Sequence, residues 1–211
     1  MTDNETTTEI VPVDGATPAY YGGRESIVPE EDLALPQLRI GHSSSLCVQE
    51  GDVPFGALYV AYDAADPEPQ VLFRPGEKAG VRVHVLGKRS VWCFNDEETD
   101  KYTVRDVRES PAPPVPDAQR GYEFAILIPA YDMTLPAVWL VKSSAMACGK
   151  RILTTIMRDG GPPSRMCFEL TTVARQNERG RWFVPQAVSV KPQPKHIEAA
   201  VTAAALLGVP E

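Results

Sequence analysis

Residues 81 to 94 read VRVHVLGKRSVWCF, and the reading of this stretch decides the class of fold. Apolar and polar residues alternate at its start, the period of two that marks a strand with one buried face. Successive side chains of a strand point to opposite faces. An unbroken strand would therefore carry Val81, Val83, Val85, Val91 and Cys93 on one side, and Arg82, His84, Lys88, Trp92 and Phe94 on the other. The first side is a core face. The second mixes cations with flat rings, which suits a ligand that has both charge and planar faces, as a nucleic acid has.

Outward from this strand the chain continues in short β-rich runs separated by turn residues, the pattern of a barrel or sandwich. Strands are expected at 37–42, 57–62, 70–74, 80–94, 122–129, 137–142, 166–174 and 181–190, which makes the fold mainly β with minor α. Between 95 and 120 lies NDEETDKYTVRDVRESPAPPVPDAQR, charged and then proline-rich, where strand pairing is not expected to continue. This stretch reads as a long inserted loop, placed to act as a lid, a wrapping arm or a partner contact.

Two helices are expected. The first, over 143–159, starts at a serine cap and turns Ala147, Ile152 and Ile156 inward, with Lys150, Arg151 and Arg158 outward. The second, over 194–208, begins at Pro194, ends at Gly208, and carries Ile197, Val201 and Ala204 on the stripe that would dock on the sheet.

The chain of 211 residues is long enough for one domain, expected over 33–211, preceded by an acidic arm at 1–32. The arm is rich in Thr, Glu, Pro and Gly and poor in large aliphatics, so it cannot bury enough apolar surface to offset the entropy of ordering, and disorder is expected there. It holds eight acids (Asp3, Glu5, Glu9, Asp14, Glu25, Glu30, Glu31 and Asp32) and one base, Arg24. The whole net charge of −7 thus resides in the arm, and the rest of the chain is neutral with 20 acids and 20 bases. An overall acidic balance therefore does not exclude a polyanionic ligand for the folded part.

No apolar run reaches the roughly 18–20 residues of a membrane span, and the start MTDNETTTEI has no basic, apolar leader; a cytoplasmic protein without membrane contact is expected. Cysteines 47, 93, 148 and 167 form no CxxC pair and have no nearby histidine, so reduced core thiols are expected, with no metal and no cofactor.

Catalytic patterns are absent from the sequence. There is no G-x-S-x-G or H-E-x-x-H, and ACGKR at 147–151 lacks both the first glycine and the Ser or Thr of a phosphate loop, so an enzyme is not expected. Basic residues instead gather around the tryptophans in three places. Trp92 stands with Arg82, Lys88, Arg89 and Phe94. The run AVWLVKSSAMACGKR places Lys142 and Arg151 after Trp139, and ARQNERGRWFVPQ places Arg175, Arg179 and Arg181 at a hairpin turn before Trp182. Stacking contributes about 1–3 kcal/mol per base, and cations add a salt-dependent term through counterion release. The candidate contact residues are Arg82, Lys88, Arg89, Trp92 and Phe94, then Lys142, Arg151, Arg179, Arg181 and Trp182.

LPQLRIGHSSS, VRVHVLGKRSVW, the long insertion, VWLVKSSAMACGKRILT, CFELTTVA and RWFVPQAVSV, taken in that order, resemble a family of bacteriophage single-stranded DNA-binding proteins over roughly residues 33 to 191. The resemblance implies an OB-like antiparallel barrel that coats single-stranded DNA with little sequence preference during phage replication or recombination. Relatives with paired cysteines in the insertion differ from this chain, in which Cys93 stands alone, so no zinc is carried over. The acidic arm would then compete with DNA or meet replication and recombination proteins. The alternative is a phage structural or assembly protein whose barrel makes protein contacts, and self-association fits either reading. Deletion of residues 1–32 is expected to tighten binding of oligothymidylate at low salt, as read by tryptophan fluorescence, and an unchanged affinity would remove the competition idea.

Overall fold

The computed structural model describes residues 35–62, 68–96, 101–178 and 180–208. The acidic arm expected at 1–32 and the candidate Arg179 lie outside the described residues. Among the described residues nine strands form one sheet: β1 (Gln37–Ile40), β2 (Leu58–Ala61), β3 (Gln70–Phe73), β4 (Val81–Asp96), β5 (Lys101–Asp106), β6 (Gln119–Leu127), β7 (Ala137–Lys142), β8 (Cys167–Asn177) and β9 (Gly180–Val190). Their order is β3-β2-β1-β7-β6-β4-β8-β9, with β5 beside the far end of β4. Three helices accompany them, the short α1 (Leu46–Gln49), α2 (Met146–Asp159) and α3 (Pro194–Leu206). The protein is mainly β with minor α, a curled open sheet that makes half of a barrel and carries a C-terminal helix. Its ladders are antiparallel except for one parallel contact, Gln37 with Val138, where β1 meets β7. Among the described residues no helix is long and apolar enough to cross a membrane.

All eight expected strands are present, and one more arises where a loop was expected. β4 runs on to Asp96, and Lys101–Asp106 pairs with its last six residues, from Val91↔Asp106 to Asp96↔Lys101. The insertion is therefore a hairpin arm followed by the proline-rich loop. In KYTVRD the β-branched Thr103 and Val104 alternate faces, a pattern that becomes a strand once β4 supplies an edge to pair with.

The two faces of β4 do not run unbroken. Val85 pairs with Ile126 and Gly87 with Ala125, so Leu86 is an extra residue, a β-bulge. Beyond it the faces exchange. Lys88 pairs with the core residue Phe124, and Trp92 with Arg120, on the side that Val81, Val83 and Val85 occupy earlier. Arg89, Val91 and Cys93 continue the side of Arg82 and His84. The division read from strict alternation holds only for residues 81–85.

The main core fills the concave side of the sheet with Leu38, Leu58, Val60, Val83, Phe124, Ile126, Trp139, Phe168 and Leu170, among others, and α2 closes it with Cys148 and Ile152. The helix starts at Met146 rather than at a serine cap, because Ser143–Ala145 form a 3-10 turn and no side chain caps the first amides. Ala147, expected to be apolar core, is exposed, and Cys148 takes its place. On the opposite side, the bulged Leu86 joins Ala125 and Leu127 against Ala200, Ala203, Ala204 and Leu207, so α3 docks on the sheet through a stripe shifted from the expected Ile197–Val201–Ala204. All four cysteines are buried and unbridged, and burial pushes the Cys148 thiol up to about 12.

Among the described residues, side chains rather than strand pairing bridge the open side of the curled sheet. Thr172 Oγ1 of β8 donates to the Gly56 carbonyl at 2.6 Å, and Phe183 of β9 meets Phe55 edge-on with ring centroids 5.0 Å apart. Gly56 has φ +84°, and a Cβ placed on it would come within 2.5 Å of the Phe183 ring. Gly56→Ala is expected to cost ~3 kcal/mol from backbone strain plus overpacking. Gly76→Ala, at φ +95° with open space around it, is expected to cost only the strain, ~1 kcal/mol. Urea midpoints of the two variants compare them directly.

His84, fully buried on β4, faces His196 of α3 edge-on with centroids 6.3 Å apart, and its Nδ1 lies 3.0 Å from the Ser164 carbonyl. Both rings are held below the ordinary histidine range, His84 by burial and by His196, and His196 by partial burial and by Lys195 and Arg82. A base whose folded pKa is lowered contributes stability that is fully present above its unfolded value, about 6.5, and is lost as pH falls through that value. Glu123, raised to about 7 by burial, works in the opposite direction over part of this range. The histidine contribution is therefore read as a difference: between pH 7.5 and 5.5 the urea midpoint of the native chain is expected to fall relative to that of His196→Gln.

Candidate functional site

Two open grooves lie side by side where the sheet fails to close. The first, of about 670 Å³, runs between β1 and β7 on one side and β9 on the other. Arg39, His42, Tyr59, Glu123, Lys142 and Ser143 supply its polar lining. The second, of about 350 Å³, lies between α2 and β9, with Arg151, Arg175 and Trp182 at its rim. Both grooves are lined by Ser144 and Pro185, so they meet there and form one path across the open seam. Among the described residues Glu123 is the one carboxylate in the lining of either groove, against Arg39, Lys142, Arg151 and Arg175.

The local sequence explains how these groups come together. In β7, AVWLVK alternates cleanly, so Ala137, Trp139 and Val141 enter the core and Lys142 ends the opposite row. In β1, Leu38 points inward and Arg39 outward, and Arg39 Nη2 donates to Gln37 Oε1 at 2.7 Å. Arg175 and Trp182 are direct cross-strand partners in the β8–β9 hairpin. Arg151 lies one turn along α2 from Ala147, on the face turned to β9. Ser143, at the junction, has φ +48°, a left-handed conformation that is costly for a residue with a side chain and that accumulates at functional sites. Its Oγ donates to Gln119 Oε1 at 2.6 Å, tying the junction to the start of β6.

Burial tunes the ionisable groups. The Lys142 ammonium is lowered from its usual value by desolvation, and His42 is lowered by burial and by Lys142. Glu123 pairs directly across the ladder with Arg89, whose Nε donates to its Oε1 at 2.8 Å, and both side chains are mostly buried. Desolvation pushes the Glu123 carboxyl up to about 7. The guanidinium beside it opposes that push, and the short ion pair marks the charged form as the one held here. The Asp106 carboxyl, also on this face and desolvated, is nevertheless lowered by the Arg108 backbone N–H and guanidinium that hydrogen-bond it, at 2.8 and 2.9 Å.

The opposite side of the β4–β5–β6 arm carries a second basic and aromatic surface. Trp92 has Arg105 and Arg120 as its two cross-strand neighbours, and Lys88 Nζ stands 5.0 Å from the centroid of Tyr122. Lys88 is lowered by desolvation and then by Arg120. The Trp92 Nε1 donates to the Ser110 carbonyl at 2.7 Å, so the loop after β5 folds back on the indole and leaves it half-buried.

The ten candidates thus separate. Lys142 lines the first groove; Arg151 and Trp182 line the second. Lys88 and Trp92 belong to the arm. Phe94 is buried at 5% exposure beneath the Arg105 guanidinium, which removes it as a stacking platform. Arg89 is committed to Glu123. Arg82 lies on the face that meets α3, near His196, away from Lys88 and Trp92. Arg181 covers the buried Phe183 ring at 5.3 Å. Arg39, His42, Arg175, Arg105, Arg120 and Glu123 join the surfaces without having been candidates. Arg105 and Arg120 lay in the stretch read as loop, where alternation in KYTVRD was the available signal.

Among the described residues no group of three or more His, Cys, Asp or Glu side chains gathers to hold a metal ion. No protein-family model, curated protein or solved structure matches this chain. The class rests on the fold itself: a half-barrel with a polar, cation-rich seam.

Proposed function

We propose that this protein binds single-stranded DNA without strong sequence preference, along the path made by the two grooves. The observation that carries the reading is their junction: four basic side chains and Trp182 border one continuous seam whose lining, among the described residues, holds a single carboxylate, itself neutralised by Arg89. Phosphates would follow Arg39, Lys142, Arg151 and Arg175, and a base would stack on Trp182. An unpaired strand exposes its base faces to such a side chain, whereas a duplex keeps them stacked. The Lys88–Trp92–Arg105–Arg120 surface on the arm offers a second place for the strand to continue. The family resemblance supplies the setting, replication or recombination of a phage genome.

Titration of the full chain with oligothymidylate at two salt concentrations, followed by tryptophan fluorescence, tests the reading. Binding is expected to weaken steeply with salt, and Lys142→Ala and Arg151→Ala are each expected to flatten the log–log slope by about one while weakening all sequences alike. Trp182→Ala is expected to lose about 1–3 kcal/mol. Salt-insensitive affinity, or variants indistinguishable from the native chain, would overturn the proposal; self-assembly indifferent to DNA would favour the assembly role instead.

A further inference from the structure

Glu123 is an anion placed in the lining of a groove that otherwise attracts anions. Its residue is 93% buried by complement of its 7% exposure, so its charge is weakly screened. The charged and titratable groups around it come from every neighbouring element: Arg89 on β4 is its ion-pair partner, and Asp106 on β5 acts on that same arginine. Across the groove stand Arg39 of β1, His42, Tyr59 of β2 and Lys142 of β7. A phosphate settling among Arg39, His42 and Lys142 would approach the Glu123 carboxylate, and two like charges in a poorly solvated site push the weaker acid toward its neutral form. Phosphodiesters are far the stronger acids, so the carboxyl is the group that yields.

We infer that strand binding is coupled to proton uptake by Glu123. The proton comes from solvent, the carboxylate becomes a carboxylic acid, and no covalent bond to the ligand is made. The positive charge of Arg89, until then cancelled by Glu123, then counts toward the bound strand. This inference rests on the single-stranded DNA reading above and adds its regulation: affinity and salt dependence both rise on acidification. Burial already raises the carboxyl to about 7, which brings its neutralisation within the range of ordinary cellular pH.

His42 lines the same groove and gains a proton at lower pH, its ring being held below the ordinary histidine range by burial and Lys142. The window above pH 7 therefore separates the two groups. The experiment is a titration of the full chain with oligothymidylate between pH 6 and 8.5 at constant low ionic strength, combined with calorimetry in two buffers of different ionisation enthalpy to count protons. Between pH 7 and 8.5 the native chain is expected to lose up to tenfold in affinity per pH unit and to take up as much as one proton per strand bound, with a salt slope about one unit steeper at pH 6 than at 8.5. His42→Gln is expected to keep this uptake. Glu123→Gln is expected to abolish it and to bind at pH 8.5 as tightly as the native chain does at pH 6. A folded Glu123→Gln that still takes up the proton, or a native chain that binds without uptake above pH 7, overturns the inference and leaves the DNA reading intact. No binding at any pH overturns both. Should Glu123→Gln fail to fold, carbon-detected NMR of the native Glu123 carboxyl decides: its titration midpoint is expected to rise when oligothymidylate is added, and an unmoved midpoint overturns the coupling.

Discussion

The bulge at Leu86 is the constraint on which the rest of the molecule depends. A strand's side chains have a period of two, so one unpaired residue between Val85 and Gly87 exchanges the faces of everything that follows. Before the bulge, β4 sends Val81, Val83 and Val85 into the main core. At the bulge, Leu86 turns to the other side and anchors α3. After it, Lys88 and Trp92 stand on the face that Val81, Val83 and Val85 occupy before it, and Arg89 lies opposite Glu123, which lines the first groove. Without the extra residue, the register would put Lys88 rather than Arg89 opposite Glu123, and the planar guanidinium would be replaced by an ammonium.

Incomplete closure is the second organising fact. A barrel that pairs its last strand with its first leaves no seam. Here the turn before β2 is met by Phe183 of β9 on Phe55 and by Thr172 of β8 on the Gly56 carbonyl. The remaining gap is partly filled by α2, whose Gly149 lets the helix lie against Val141, Tyr122 and Phe124. The grooves are what is left on either side of their shared junction at Ser144 and Pro185. Their floor and walls come from strands and the 14-residue α2, so their cations are carried by regular elements rather than by loops alone.

Electrostatics at the seam follow from burial rather than from total charge. Net charge of the chain is −7, yet the excess of acids over bases lies before residue 33, and the groove linings hold one carboxylate among the described residues. Desolvation depresses Lys142 and His42 and raises Glu123. Each of these shifts is in the direction of the neutral form, and at Glu123 the Arg89 guanidinium opposes it. The coupling of ligand charge to protonation proposed above draws on these opposed influences.

Much of this was legible in the amino-acid order. Period-two alternation located eight of the nine strands, Pro194 and the alanine-rich run located α3, and the uneven acids showed where the charge lies. Those features are local: they depend on spacing within a few residues and on composition. The ninth strand, Lys101–Asp106, was hidden because its charged residues pair only once the end of β4 provides an edge. The face of Trp92 was misread because Gly87, the one residue in 81–94 that hints at a bulge, does not say where an extra residue falls; that is set by the register with Ile126 and Ala125 on β6. The pairing of Arg89 with Glu123 joins residues 34 apart in sequence, and the meeting of Lys142, Arg151 and Arg175 joins three elements. Such contacts follow from how strands curl and where closure stops, which is a property of the packed whole. The sequence by itself determined the β class, the core-forming rows and the stock of cations and rings; only the tertiary structure decided which of them share a surface, because register and closure are settled by long-range packing.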